Sequence, residues 1–132
     1  MDLKSLVEGK ARAAREAASA LALLSTKTKN DALAQMARGL EEKAASILES
    51  NRADLERARG RGATRAFLDR LTLTEPRIEE MARGLREVAL LPDPIGEVVE
   101  AWRRPSGLEI ARVRVPLGVI GFIYESRPNV TA

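Results

Sequence analysis

No cysteine and no histidine occur among the 132 residues. Their absence excludes a disulfide framework and any zinc site built on Cys or His, and no metal-ligand set is expected. It also leaves these residues without a thiolate nucleophile or an imidazole base. Chemistry that needs either group is expected to lie beyond Ala132. No apolar run is long enough to span a bilayer. The opening residues, Met1-Asp2-Leu3-Lys4-Ser5, lack the basic-then-apolar layout of a secretory signal. A cytoplasmic location with no membrane partner is therefore the default expectation. A strong excess of one charge is missing too, since 22 basic residues face 19 acidic ones. Those charges are mixed along the chain, and a nucleic-acid footprint would cluster on one face. No nucleic-acid partner is expected. Internal repeats and low-complexity tracts are absent as well.

What is present suits a globular chain: 45% hydrophobic and 31% charged residues, in a length that supports one domain with a core. The first ninety residues read as helices. Leu3, Leu6, Val7, Ala14, Ala17, Ala18 and Leu21 fall on one face at three- and four-residue steps. Ser25-Thr26 breaks that pattern and offers hydroxyl caps. Leu33, Met36, Ala37, Leu40, Ala44, Ile47 and Leu48 continue the period as a second helix. Asn51 is a plausible cap for a short helix through Asp54, Leu55 and Ala58 that Gly60 and Gly62 end. Ala66, Phe67, Leu68 and Leu71 make a short apolar turn. Thr74-Glu75-Pro76 then opens a helix whose inner face is Ile78, Met81, Ala82, Leu85, Val88 and Ala89. Pro92-Asp93-Pro94-Ile95-Gly96 stops it.

From Glu97 the pattern changes to β. Glu97–Trp102 and Leu108–Val115 read as the arms of a hairpin, with Pro105-Ser106-Gly107 as the turn. In the second arm Ala111, Val113 and Val115 alternate with Arg112 and Arg114, so one face is apolar and the other cationic. Val115 to Ile123 is a nearly unbroken apolar run, which is expected to form a strand buried on both faces of a parallel sheet. Such a strand needs partners at both edges. The chain is therefore expected to be the front part of a larger enzyme, cut where its binding site begins. Three regions follow: a helical region over 1–96, a β-hairpin over 97–115, and the start of a dinucleotide-binding domain over 116–132.

Candidate chemistry gathers in two places. Arg57, Arg59, Arg61 and Arg65 form the most basic window, read either as a solvated connection or as contacts to phosphates. A stand-alone helical module that binds an acidic partner through this window is the alternative reading of the whole chain. The second place is the polar turn after the apolar run: Tyr124, Glu125, Ser126, Arg127, Pro128 and Asn129. Open α/β sheets bind their ligands at the carboxyl ends of strands. Arg forks two N–H bonds onto a phosphate or carboxylate, and Asn donates to a developing oxyanion. A capped loop with an exposed Arg has the same residues. Gly118 and Gly121 lack the third glycine that a phosphate-binding fingerprint requires, and close packing against a neighbouring strand or helix is the preferred account of them.

The run Pro116-Leu117-Gly118-Val119-Ile120-Gly121 resembles the strand that opens the cofactor domain of the aldehyde dehydrogenase superfamily. Its continuation, Ile123-Tyr124-Glu125-Ser126-Arg127-Pro128-Asn129-Val130-Thr131, is similar to the gamma-glutamyl phosphate reductase family within it. Asn51–Leu55, Leu68–Thr74, Gly84–Val88 and Leu91–Val98 carry the same resemblance. It implies an α/β fold: an N-terminal helical bundle, a β-hairpin, and the first strand of a Rossmann-like cofactor domain. It implies NADPH-dependent reduction of L-glutamate 5-phosphate to L-glutamate 5-semialdehyde and phosphate, in proline biosynthesis. A cysteine thiolate would attack the acyl phosphate, giving a thioester that accepts hydride. With no cysteine in the chain, no catalytic residue is assigned here, and these residues alone are expected to be inactive. By position, Ile123, Tyr124, Glu125 and Ser126 would line the nicotinamide end of NADPH. The superfamily's oxyanion Asn falls on Arg127, so Arg127 and Asn129 would bind the phosphate or the oxyanion. The resemblance further implies a homo-oligomer associating through the hairpin, with Arg112 and Arg114 at the interface, and contact with glutamate 5-kinase.

Overall fold

The structure, a computed structural model, describes residues 2–132. The chain divides into two compact units, each assembled from two stretches. One joins the residues up to Thr26 with Pro92–Gly121, and the other joins Lys27–Leu91 with Phe122–Ala132.

The second unit holds the core. It contains α2 (Thr26–Glu42, apart from its first residue), α3 (Ala44–Gly60), α4 (Arg65–Leu71), α5 (Glu75–Ala89) and a closing 3₁₀ turn, Pro128–Thr131. The three- and four-residue spacing on α2 and α5 brings Ala37 against Ala82 and Leu85, with Leu33 and Leu40 packed around them. Alanine at 37 and 82 removes bulk where the two helices meet, and both residues are completely buried. Ile78 is 1% exposed, a burial worth about 1.5–3 kcal/mol of apolar transfer. Thr74 caps α5 by accepting a hydrogen bond from the Arg77 N–H, and Pro76 sits in the first turn. Thr64 caps α4 in the same way through Phe67 N–H. Gly60 closes α3, and Gly62 follows in a left-handed conformation at φ 77° that a side chain would strain. On the outer surface Arg86 forks onto Glu41, with Nη1–Oε1 and Nη2–Oε2 both 2.6 Å. Those hydrogen bonds hold the Glu41 carboxyl below the usual carboxylate range.

Two helix expectations change here. The apolar stripe Leu33–Leu48 belongs to two helices, because Lys43 leaves helical geometry at φ −99°, ψ 11°. The i→i−4 bonds Lys43 N–H to Gly39 O and Ile47 N–H to Lys43 O survive across this point. The hydrophobic period therefore runs on through the break and hides it. Asn51 is not a cap. It lies inside α3, is buried, and uses its side chain at long range.

The first unit contains α1 (Leu3–Leu21) and a two-stranded antiparallel ribbon of β1 (Val98–Arg103) and β2 (Glu109–Val113). The register pairs Val98 with Val113, Glu100 with Arg112, Ala101 with Ala111, Trp102 with Ile110 and Arg103 with Glu109. Val99 is the extra residue at an irregularity between Val98 and Glu100. At the turn Arg104 N–H donates to Leu108 O, and Gly107 takes φ 87°. Gly96 N–H to Arg114 O and Arg114 N–H to Glu97 O extend the pairing past the strands. Thr26 Oγ1 donates to Asp93 Oδ2 at 3.1 Å, while Asp93 Oδ1 accepts from Ile95 N–H. These bonds tie the Pro92–Gly96 corner to the end of the first stretch.

The helical region and the hairpin are as expected, but the Rossmann-like first strand is not formed. Among the described residues, 116–123 pair with no strand. Leu117 is 92% exposed and Ile123 fully exposed. The physical reason is the one that made the expectation conditional. A strand buried on both faces takes its hydrogen bonds from neighbours on both edges, and the two strands among the described residues are paired with each other.

Candidate functional site

Residues 122–132 return to the helical unit and form a closed loop on it. The Phe122 and Tyr124 rings lie 5.9 Å apart at a tilt of 31°. The Tyr124 hydroxyl and the Thr131 Oγ1 share a short hydrogen bond that ties the two ends of the loop together. Between them Ser126 holds φ 53°, the one described non-glycine residue with positive φ. An L-residue there costs about 1–2 kcal/mol. The Ser126 hydroxyl oxygen is shielded from solvent and has no partner. Pro128 then begins the 3₁₀ turn, and Val130 N–H bonds back to Arg127 O at 3.0 Å. The turn packs against α5.

Of the six residues expected at the site, the loop brings two to one cavity. Arg127 and Asn129, with Pro128 between them, line a space of about 210 Å³. Ile123, Tyr124, Glu125 and Ser126 precede it on the same loop and are not part of its wall. The opposite wall was not foreseen. It consists of Asp69, Arg70, Thr72, Leu73 and Arg77, from the end of α4, its connection to α5, and the first turn of α5. The Leu68–Thr74 run, already conspicuous for its resemblance, was the available signal.

That connection is held rigidly. Asn51 Nδ2 donates to Leu71 O at 2.9 Å, and Asn51 Oδ1 accepts from Leu73 N–H at 2.8 Å. Thr72 Oγ1 donates to Leu68 O at 2.7 Å. Arg77 Nη1 donates to the carbonyls of Asp69 and Thr72. A buried amide and a guanidinium thus take up backbone groups that no helix satisfies, and they set the shape of the wall. The remaining donors of Arg77 stay available.

The basic window is arranged differently. Arg57 is ion-paired with Asp54. Arg57 and Arg61 line an open cavity of about 580 Å³ with Thr64, Phe67 and Leu71, whereas Arg59 and Arg65 do not line it. Among the described residues no cluster of three or more His, Asp or Glu side chains is placed to hold a metal ion. Among them also, no helix is long and apolar enough to cross a membrane.

No protein-family model matches the chain. Individual proteins do. The chain is 57% identical over 99% of its length to gamma-glutamyl phosphate reductase from Moorella thermoacetica, and 48% identical over 99% to the one from Thermodesulfovibrio yellowstonii. Its relatives are gamma-glutamyl phosphate reductases. The structure agrees. The crystal structure of gamma-glutamyl phosphate reductase from Thermotoga maritima superimposes with a TM-score of 0.90 at 50% identity, covering 93% of this chain and 30% of that one. The Saccharomyces cerevisiae reductase superimposes with a TM-score of 0.84 at 36% identity, covering 92% of this chain and 31% of its own. The chain thus spans about a third of the length of the gamma-glutamyl phosphate reductases it matches: 31% of the Moorella thermoacetica protein and 31% of the Thermodesulfovibrio yellowstonii protein.

Proposed function

We propose that these residues serve as the front part of a gamma-glutamyl phosphate reductase acting in the cytoplasm on L-glutamate 5-phosphate. The observation that carries this reading is the convergence of Arg127 and Asn129 on one small cavity, in a chain whose relatives carry that name. Arg127 brings a planar fork of N–H donors that matches phosphate oxygens. Asn129 adds a neutral amide donor. Together they bind the acyl phosphate, and their donors strengthen as negative charge develops on the acyl oxygen and the departing phosphate. Arg127 stays cationic throughout, so it assists the leaving group without moving a proton.

The chain contains no cysteine, so the thiolate that displaces phosphate belongs to residues outside this chain. These 132 residues alone carry out no reduction. NADPH, when bound, supplies hydride to the acyl carbon. The residues at the expected nicotinamide end fit such a group: Ile123 offers fully exposed apolar surface, Tyr124 an aromatic face, and Ser126 a hydroxyl without a partner. In this reading Leu117–Ile123 becomes the first strand of the cofactor domain once neighbouring strands pair with it. The β1–β2 ribbon is the surface for association into a homo-oligomer. Arg112 and Arg114, which pair with Glu100 at 3.4 Å and Glu97 at 2.8 Å within the ribbon, sit at that interface. Glutamate 5-kinase is the partner that delivers the acyl phosphate.

The test is Arg127→Ala in the full-length reductase, followed by NADPH consumption. Loss of one donor to the developing charge lowers kcat by roughly 10²-fold, with the circular dichroism spectrum unchanged. Unaltered kinetics, or NADPH-dependent semialdehyde production by these 132 residues alone, would overturn the assignment.

A further inference from the structure

The wall opposite Arg127 carries three ionisable side chains that its own construction does not use fully. Asp69, Arg70 and Arg77 line the same 210 Å³ cavity as Arg127 and Asn129. Arg77 is anchored through Nη1 on two backbone carbonyls. Among the described residues, neither Arg70 nor Arg127 lies within ion-pair distance of a carboxylate, and Asp69 pairs with no cation. Elsewhere Arg57, Arg86, Arg112 and Arg114 pair with carboxylates, whereas among the described residues Arg38, Arg52 and Arg83 do not, so what sets Arg70, Arg77 and Arg127 apart is that they meet at one cavity. Three guanidiniums sharing one small space repel one another unless an anion joins them. The Asp69 carboxylate of the same lining forms no ion pair with any of them and keeps its oxygens for another donor.

Such a lining is complementary to a ligand that bears anionic groups and one ammonium. The cavity is too small for a dinucleotide, since even drug-sized ligands occupy roughly 300–1,000 Å³. The geometry points to Asp69, Arg70 and Arg77 as the subsite for the α-amino-acid end of the substrate. Arg70, with the free donors of Arg77, forks onto the α-carboxylate. Asp69 accepts hydrogen bonds from the α-ammonium. Arg127 and Asn129 take the phosphoryl end. Asn51 and Thr72 are positioning residues, because they fix the backbone on which Asp69 and Arg70 stand. This assignment rests on the reductase reading and adds to it what selects glutamyl phosphate over other acyl phosphates.

The experiment runs the full-length reductase in the oxidative direction with NADP and phosphate. It uses two aldehydes: L-glutamate 5-semialdehyde, and 5-oxopentanoate, which keeps the carboxylate and lacks the α-ammonium. The bond that anchors Arg77 uses the Asp69 backbone carbonyl and not its side chain, so Asp69→Asn leaves the connection intact. Removing a charge-assisted hydrogen bond costs roughly 10- to 100-fold in affinity. Asp69→Asn therefore raises KM for the semialdehyde by that factor, with kcat nearly constant, and leaves KM for 5-oxopentanoate unchanged. Arg70→Gln raises KM for both. Unchanged KM in both variants, with an active parent enzyme, overturns the subsite and spares the reductase reading. Equal weakening of both aldehydes by Asp69→Asn also overturns it, as the mark of a distorted wall. A parent enzyme inactive on both overturns the reductase reading, and the subsite with it.

Discussion

Lys27–Leu91 together with Phe122–Ala132 buries Ala37, Leu55, Ile78, Ala82 and Leu85. The other unit has Leu3, Leu6, Val7 and Leu21 on α1, and Val98, Val99, Trp102 and Val113 on its ribbon. It buries none of them, and each is at least 39% exposed. Both sets follow the periodicity of their element. The difference lies in closure. In the first case α2, α3, α4 and α5 supply facing apolar stripes to one another. In the second a single helix and a two-stranded ribbon leave most of their apolar surface in water. An exposed apolar surface of this extent is one that a neighbouring surface could cover. Periodicity reports which side of an element wants burial, and only a second element can provide it.

The largest expected effect tests that contrast directly. Ile78→Ala destabilises the chain by about 2–5 kcal/mol in urea unfolding, through lost transfer energy and a residual cavity. Val7→Ala, at a 56% exposed site on α1, changes stability by about 0.5 kcal/mol or less. Similar losses at the two positions would mean that the first unit has a core after all, and the comparison would fail.

A smaller effect sharpens the picture of the core unit. Asn51→Leu keeps the volume roughly constant but strands Leu71 O and Leu73 N–H. The cost is about 1–3 kcal/mol for each stranded backbone group that cannot reach water. Hydrogen exchange at Leu73 should accelerate selectively, and unchanged protection there would show that the clamp holds nothing.

The smallest effect is electrostatic. Glu41 has a folded-state pKa below its ordinary value, so the stabilisation is present above the usual carboxylate range and is lost as pH falls through the folded value. The Glu41–Arg86 pair is solvent-exposed, and exposed pairs contribute little. Glu41→Gln should lower the melting temperature slightly at pH 7, and the difference should vanish in acid. A difference that grew on acidification would reverse the assigned sign.

Much of this was readable from the sequence, for identifiable reasons. α1, α5 and the hairpin announce themselves through local signals: the three- and four-residue spacing, Thr74 with Pro76, and Gly107 between alternating arms. The break at Lys43 was not readable, because helix hydrogen bonds and the apolar period both cross it. Asn51 was misread because its partners lie at Leu71 and Leu73, and a cap rule looks only at neighbours. Arg127 and Asn129 were legible as a polar turn after an apolar run. Asp69, Arg70 and Arg77 were not, since they reach the same cavity only when residues 122–132 return to the helices. The Val115–Ile123 run reads as a strand buried on both faces, yet it is unpaired and largely exposed in the structure, because apolar composition does not specify which strand it pairs with.

The division into units also has a consequence for synthesis on the ribosome. The chain passes from one unit to the other three times, after Thr26, after Leu91 and after Gly121. α1 leaves first, yet its partners at Pro92–Gly121 follow only after the whole of Lys27–Leu91. Domains assemble as their residues emerge, so the helices from α2 to α5 can collapse on their own core while α1 still waits. The loop that carries Arg127 emerges after those helices and docks onto a wall already set by Asn51 and Arg77. The cavity lined by Arg127 and Asn129 is therefore closed only after the helices have formed, and the Asp69–Arg77 wall serves as the template on which it is completed.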